Sequence, residues 1–259
     1  MLKNKKHLGQ NWLYDREILE EIAEISISRT VPATIGTVLE IGPGLGTLTS
    51  ALLKRFDRVI AVEFDAKLAA NLPGSFPGKN LQVIHADILD FDLDTLPKGY
   101  AVAGNIPYYI TSPIIQKFIR AHNRPSRITL LVQKEVAQRL AATPGKYSVL
   151  GLSAQIYAEV SLGPVIKRDL FTPPPKVDSQ VVVLTPRPKP LATEQTIALI
   201  KLGFSRARKK LASNLSATLQ IPRRDIYDIF SQINLSERVR PADLSIKDWI
   251  KLETFLHKR

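Results

Sequence analysis

Four short apolar runs, each halted by glycine or by a polar residue, dictate what this chain can fold into. The first, Thr37–Ile41, stops at Gly42-Pro43-Gly44-Leu45-Gly46 and gives way to a helical pattern from Leu48 to Phe56. The second, Arg58–Val62, stops at Glu63, and the third, Leu81–Ile84, stops at His85-Ala86-Asp87. The fourth, Tyr100–Ala103, runs into Gly104-Asn105-Ile106-Pro107-Tyr108-Tyr109. Runs of this length bounded by turn residues read as buried strands. Strand, glycine loop and helix make the first unit of a nucleotide-binding α/β domain. The β-α alternation then predicts a parallel twisted sheet with helices on both faces. Ligands of such sheets bind outside the carboxyl ends of the strands. Gly42–Gly46, Glu63, Asp87 and Asn105 all fall at those ends, so they are expected to share one site.

Further elements fill in the pattern. Asp15–Ser28 carries Ile18, Leu19, Ile22 and Ile25 at helical spacing, with Asp15 as the N-cap. After the Asn105 turn come a helix near Pro113–His122, a strand Ile128–Val132 and a helix Lys134–Ala141. Beyond Val160 the pattern changes. Phe171-Thr172-Pro173-Pro174-Pro175-Lys176-Val177-Asp178-Ser179 is a stiff loop leading into a late strand, Gln180–Leu184. Consecutive prolines exclude a helix interior or a central strand. A second Pro-rich stretch, 186–190, reads as a linker. Helical patterns follow at Thr193–Leu202, Arg206–Leu219, Arg223–Ile233 and Ser245–Leu256, the last capped by Ser245. The expected division is a domain over 1–185, the linker 186–190, and a small helical domain over 191–259.

Composition narrows the partners. There is no Cys, which excludes disulfides and thiolate metal sites. The four His, at 7, 85, 122 and 257, do not form a ligand pattern, so no metal is expected. Met1–His7 is basic like a signal n-region, but no apolar stretch follows it, and no run is long enough to cross a bilayer. A cytoplasmic enzyme is the expectation, and nothing demands more than a monomer. The net charge is +12, with a pI near 9.9. It is concentrated in residues 187–259, which hold 15 Lys and Arg against 7 Asp and Glu. Such a surplus on a short segment points to an anionic macromolecule, most simply nucleic acid.

The loop chemistry selects the small ligand. Gly42-x-Gly44-x-Gly46 lacks the third glycine of the dinucleotide fingerprint, because Thr47 stands where it would fall. A P-loop lysine is absent too. Glu63, 21 residues after Gly42, is placed to accept both hydroxyls of a ribose. Asp87 is placed to take an adenine amino group. Singly, each is an ordinary solvated strand-end acid; in register with the loop they make a site. A ribose and an adenine without a phosphate signature point to S-adenosylmethionine. At the fourth strand end, Pro107 fixes its own φ and restricts Ile106, so the Ile106 carbonyl and the Asn105 amide are aimed by the backbone. Both suit the exocyclic amine of a base stacked on Tyr108. No residue with a tuned pKa is evident in this pattern.

Taken together, VLEIGPGLGTLT (38–49), AVEFD (61–65), HADILDFD (85–92), GNIPYYITSP (104–113) and LFTPPPKVDSQVVVL (170–184), with HLGQNWLYD (7–15), resemble the KsgA/RsmA family of rRNA adenine N6,N6-dimethyltransferases. The resemblance runs in order over nearly the whole chain. It implies a Rossmann-like class I S-adenosyl-L-methionine-dependent methyltransferase domain of the α/β class with a small C-terminal all-helical domain. It implies closure over the cofactor by Gln10, Asn11 and Leu13, and a cofactor lining of Gly42, Glu63, Asp87 and Asn105, with Gly44 of the same loop expected beside them. It also implies a target-adenine pocket of Asn105, Tyr108 and Phe171, to which the Ile106 carbonyl of the turn is added. The implied activity is dimethylation of two adjacent adenosines in a hairpin near the 3′ end of small-subunit rRNA, during ribosome assembly. Trp12 departs from the family's usual Phe. Phe204–Leu211 resembles the family's Phe-x-Gln-Arg-Arg-Lys-Thr-Leu, with Arg206 for Gln and Ala207 for Arg. RNA contacts are therefore expected at Arg206, Arg208 and Lys209. Erm-type enzymes acting on large-subunit rRNA, DNA adenine methyltransferases, and a binding factor that works chiefly as an assembly checkpoint share parts of this pattern.

Overall fold

The computed structural model describes residues 11–27 and 36–257. Its chain divides into two compact units, residues 1–137 with 158–186, and residues 138–157 with 187–259.

The first unit opens with β1 (Trp12–Leu13) and α1 (Arg16–Ile25). Asp15 caps α1 by accepting from Ile18 N at 3.0 Å, a bond worth about 1 kcal/mol to a helix start. Then follow β2 (Thr37–Ile41), α2 (Thr47–Leu52), β3 (Arg58–Glu63), α3 (Ala66–Asn71), β4 (Leu81–His85), β5 (Ala101–Asn105) and α4 (Thr111–Arg120). β6 (Arg127–Gln133) runs directly into α5 (Lys134–Leu140). The sheet has seven strands in the order β4-β3-β2-β5-β6-β9-β7, where β7 is Ala158–Ile166 and β9 is Ser179–Pro186. The five strands from β4 to β6 are parallel, as the alternation requires. β9 runs antiparallel to both β6 and β7, so the sheet is mixed rather than purely parallel. The physical reason is the connection: β7 returns to β9 through a surface excursion, not through a crossover helix. That excursion contains β8 (Phe171–Thr172), which pairs antiparallel with β1 in a separate two-stranded ribbon.

Strands β2 and β3 are buried on both faces, which is why they read as continuous apolar runs. Leu19, Ile22, Leu48, Leu52 and Phe56 pack against Val38, Val59 and Ala103 in one apolar core.

The second unit holds α6 (Val149–Tyr157), α7 (Glu194–Gly203), α8 (Leu211–Leu219), α9 (Arg223–Gln232) and α10 (Ile246–Leu256). Segment 138–157, expected with the first domain, groups here instead. The reason is local bonding: Leu191 N donates to Ile156 O at 2.9 Å, Arg187 N donates to Tyr157 O at 2.8 Å, and the Tyr157 hydroxyl bonds Glu194. Pro186 belongs to β9, so the expected linker begins as strand. Trp249 is fully buried at the centre of this unit and stacks on Phe204 at 6.2 Å. Ser245 forms the expected cap, in a reciprocal capping box with Asp248.

The expected helix Arg206–Leu219 is interrupted. Phe204–Arg206 is a 3-10 turn, and α8 starts only at Leu211, with Lys210 extended before it. The Asn214 amide holds the break, donating to Gly203 O and to Arg206 O. The basic residues 206–210 therefore lie on a turn between helices, not on a helix.

Candidate active site

A cavity opens at the carboxyl ends of β2, β3, β4 and β5, lined among others by Asn11, Gly42, Gly44, Glu63, Asp87, Asn105, Ile106 and Tyr108. The sequence placed these eight at one site, and the topology brings them together. Two expected members stand elsewhere. Leu13 and Phe171 pair across the ribbon of β1 and β8 and belong to the apolar core, with Phe171 only 2% exposed. The Phe171 ring is packed into the core, where the β1–β8 pairing holds it, and does not line the cavity. Gln10 lies outside the described residues. Arg206, Arg208 and Lys209 are exposed in the second unit.

The glycine loop is locked from within. Gly42 N donates to Val62 O at 2.9 Å and Gly46 N donates to Pro43 O at 2.9 Å. Gly44 N donates to Glu63 Oε2 at 3.0 Å. All three glycine amides are thus engaged by the protein. A loop that cradles pyrophosphate needs its amides free for the ligand, so this arrangement fits a nucleoside without a phosphate. Gly44 has φ +58°, and a Cβ there would meet the Trp12 indole Nε1 at 3.3 Å. Glycine is required by conformation and by space together.

Glu63 uses its other oxygen, Oε1, to accept from Asp65 N at 2.8 Å. Burial pushes its pKa up, and the bonds from Asp65 and Gly44 oppose that shift. The carboxylate is therefore oriented by two backbone donors, with lone pairs left over for ribose hydroxyls. Asp87 is oriented likewise by Leu89 N, at 2.8 Å to Oδ1.

The sequence points to no group with a tuned pKa, but beside Glu63 the structure holds a more strongly shifted one. Glu40, on β2, is 1% exposed and lines the cavity. Its Oε2 has no hydrogen-bond partner. Burial first, and the nearby Glu63 charge, push its pKa up to about 8. The signal was there, an acid inside an otherwise apolar strand, and reading the run only for its hydrophobicity hid it. A buried carboxyl in a cavity wall, with one oxygen unpartnered, suits a cationic group of a ligand. S-Adenosylmethionine carries an ammonium beside its carboxylate. Three acids in one cavity wall, Glu40, Glu63 and Asp87, are groups of the kind that fit a ribose, an adenine amine and an ammonium. Trp12, Phe64 and Tyr109 also line the cavity, and Phe64 and Tyr109 are 60% and 64% exposed. Rim aromatics carry no periodicity, so the sequence did not flag Phe64 or Tyr109.

At the β5 end, Asn105 Nδ2 donates to Asn11 O at 3.0 Å. That bond orients the amide so that Oδ1 is the atom available as acceptor. Tyr108 sits in the 3-10 turn Tyr108–Ile110, with its hydroxyl 2.7 Å from Ser179 Oγ. Among the described residues no cluster of three His, Cys, Asp or Glu could hold a metal ion, and no helix is long and apolar enough to cross a membrane.

The fold and this site define a Rossmann-like, S-adenosylmethionine-dependent methyltransferase. Its membership is narrower than that. The profile of the ribosomal RNA adenine dimethylase family matches residues 1–258, and the chain belongs to that family. It is 38% identical to a ribosomal RNA small subunit methyltransferase A of Lactobacillus delbrueckii subsp. bulgaricus, over 96% of this chain and 89% of the relative. A protein of the same description from Dehalococcoides mccartyi is 36% identical over 97% of this chain and 88% of its own. Among solved structures, a dimethyladenosine transferase from Plasmodium falciparum superposes with a TM-score of 0.79 at 28% identity, covering 95% of this chain and 97% of the other. The 23S rRNA methyltransferase ErmE gives 0.77 at 29%, covering 95% and 100%. The chain is an S-adenosylmethionine-dependent rRNA adenine dimethyltransferase.

Proposed function

We propose that this enzyme dimethylates N6 of two adjacent adenosines in the hairpin near the 3′ end of small-subunit rRNA, acting as a cytoplasmic monomer on the immature small subunit. The supporting observation is the cavity that joins the acid-lined cofactor half to the Asn105–Tyr108 turn. Relatives described as small-subunit methyltransferases, at 36–38% identity, favour that subunit. ErmE, described as a 23S rRNA methyltransferase, stands further off at 29%.

Glu63 holds the ribose hydroxyls, Asp87 the adenine amine and Glu40 the cationic end of the cofactor. Bound S-adenosylmethionine supplies an electrophilic methyl. The chain's work is to present the acceptor nitrogen. An exocyclic amine is a poor nucleophile because its lone pair is delocalised into the ring. Asn105 Oδ1 and the Ile106 carbonyl accept its two N–H bonds, which favours a pyramidal nitrogen and frees the lone pair. This is positioning and electrostatics, with no general base: the alkylated nitrogen is acidic enough to lose its extra proton to water once the methyl has been gained. The base must leave its stack, and stacking on Tyr108, about 1–3 kcal/mol per base, offsets part of that cost. The turn at Arg206, Arg208 and Lys209 contacts RNA phosphates, setting position without reading sequence.

The deciding experiment transfers labelled methyl to small subunits lacking the modification, with naked large-subunit rRNA in parallel, followed by digestion to nucleosides. N6,N6-dimethyladenosine in the small subunit alone is expected. Product in the large-subunit RNA alone would overturn the assignment of substrate, and cofactor binding without transfer to either would leave the checkpoint role.

A further inference from the structure

Two motifs that the sequence presents as unrelated meet at one hydrogen bond. Ser179, at the end of the Pro-rich loop, is the first residue of β9 and is fully buried. Its backbone is paired on both sides, with Gln133 of β6 and Ile166 of β7. The residue before it is pinned as well. Asp178 O accepts from Lys134 N at 3.0 Å. The Asp178 carboxylate accepts from Arg168 N at 3.1 Å and from Lys167 Nζ at 3.2 Å. Those two bonds, the backbone one first, hold its pKa below the usual carboxylate range. The start of β9 is thus fixed from several directions at once.

Tyr108 is the opposite case. It sits in a single 3-10 turn without a side-chain cap and lines the cavity half-buried. Such a turn leaves the position of the ring tip loosely set, since the side chain can still swing between rotamers about χ1. What steadies the ring tip is the Ser179 hydroxyl, 2.7 Å from Tyr108 Oη and 71 positions away in sequence. Stacking needs the ring held at a fixed place beside the base, so whatever fixes the ring tip helps set the productive geometry.

We propose that Ser179 is a positioning residue of the methyl transfer: its hydroxyl, held by the sheet, fixes the Tyr108 ring against which the target base stacks. This rests on the reading of Tyr108 as the stacking residue. It gives the Pro-rich segment a task in the reaction that does not require Phe171 to leave the core. A buried tyrosine hydroxyl wants a partner for stability in any case, so the test must separate positioning from folding.

The variants are Ser179→Ala, Ser179→Thr, Tyr108→Phe and the Ser179→Ala/Tyr108→Phe double, with Asn105→Ala alongside. The readouts are kcat for transfer to unmodified small subunits, cofactor Kd by calorimetry, and Tm. Ser179→Ala and Tyr108→Phe should each lower kcat by about 3- to 10-fold, the worth of one hydrogen bond. The double should be no worse than either single, because both remove the same bond. Cofactor Kd should not move, and Ser179→Thr should keep most of the rate. Should Ser179→Ala fail to fold, Tyr108→Phe carries the same test from the cavity side. Unchanged kcat, or additive losses in the double, overturns the positioning role. If Asn105→Ala is inactive while Ser179→Ala is fully active, only the role of Ser179 falls. If Asn105→Ala is fully active, the reading of the whole turn falls.

Discussion

The Asn105 side chain donates from Nδ2 to the backbone carbonyl of Asn11, at 3.0 Å and across 94 positions of sequence. One amide thereby does two things at opposite ends. Its nitrogen ties the segment before β1 to the end of β5, and its oxygen is left as an acceptor. The β1–β8 ribbon continues the tie, pairing Trp12 with Thr172 and Leu13 with Phe171. The segment before β1 and the turn after β5 are therefore joined through Asn105 rather than built separately.

That double role predicts a split between two substitutions. Asn105→Ala removes both the acceptor and the tie to Asn11. Loss of one preorganised electrostatic partner in a reaction site costs about 10²- to 10³-fold in rate, and methyl transfer should fall by that order. Asn105→Asp keeps an acceptor but loses the donor, so cofactor affinity should weaken while part of the transfer rate survives. Calorimetry for the cofactor and a labelled-methyl assay separate the two effects.

Glu40 predicts a pH dependence whose sign is fixed. Its pKa is raised from 4.5 to about 8 in the folded apoprotein. The folded state therefore holds a proton that the unfolded state releases. The associated stability is complete below about 4.5 and is lost as pH rises towards about 8. Glu40→Gln removes the titration, so its stability curve over that range should be flatter, and it should be the more stable protein at high pH. Urea denaturation of both proteins across about pH 5 to 9 measures the difference. Adding S-adenosylmethionine should narrow the gap if the ionised carboxylate meets the cofactor's ammonium, and Glu40→Gln should bind cofactor more weakly.

Much of the fold was written in the chain. Thr37–Ile41, Arg58–Val62, Leu81–Ile84 and Ile128–Val132 are all strands in the structure, and those buried on both faces announce themselves because double burial makes a strand uniformly apolar. Asp15 and Ser245 are caps by residue type and are caps in the structure. The parts that did not read are those where tertiary context replaces pattern. Val149–Tyr157 is buried nearly all round, so its helix has no polar face to mark a period. β7 contains Gly163-Pro164, which signals a break, and the edge strand absorbs it at the irregularity between Leu162 and Val165. The two-residue strands β1 and β8 are too short for any alternation, yet their pairing is what carries Phe171 into the core and away from the cavity. The break at 203–211 depends on Asn214 reaching back to two carbonyls, which no local propensity encodes.

Gly44 predicts a loss of cofactor binding with little collateral damage. A Cβ at φ +58°, 3.3 Å from the Trp12 indole, strains the backbone and presses on a cavity wall. Gly44→Ala should cost about 1 kcal/mol of stability or somewhat more, as left-handed positions do. It should cost more than that in cofactor affinity, because the Gly44 N to Glu63 bond is disturbed as well. Trp12→Ala should recover part of the stability in the double variant, since it removes the clash but not the strain. Thermal melts with and without cofactor distinguish the two.

The basic turn predicts a salt effect. Each Lys or Arg that neutralises a phosphate releases condensed counterions, and each contact contributes about 0.7 to 0.9 to the slope of log K against log salt. Arg206, Arg208 and Lys209 are exposed and lie on a turn held open by Asn214, a shape that can follow a backbone rather than fill a groove. Replacing all three with Gln should weaken binding to small-subunit rRNA and reduce the slope by about 2. Cofactor affinity and the melting of the protein should stay where they are, because none of the three side chains is buried. The measurement is a filter-binding titration from low to physiological salt on the parent and the triple variant. An unchanged slope would remove this turn from the RNA interface and leave the surplus charge of residues 187–259 to be placed elsewhere.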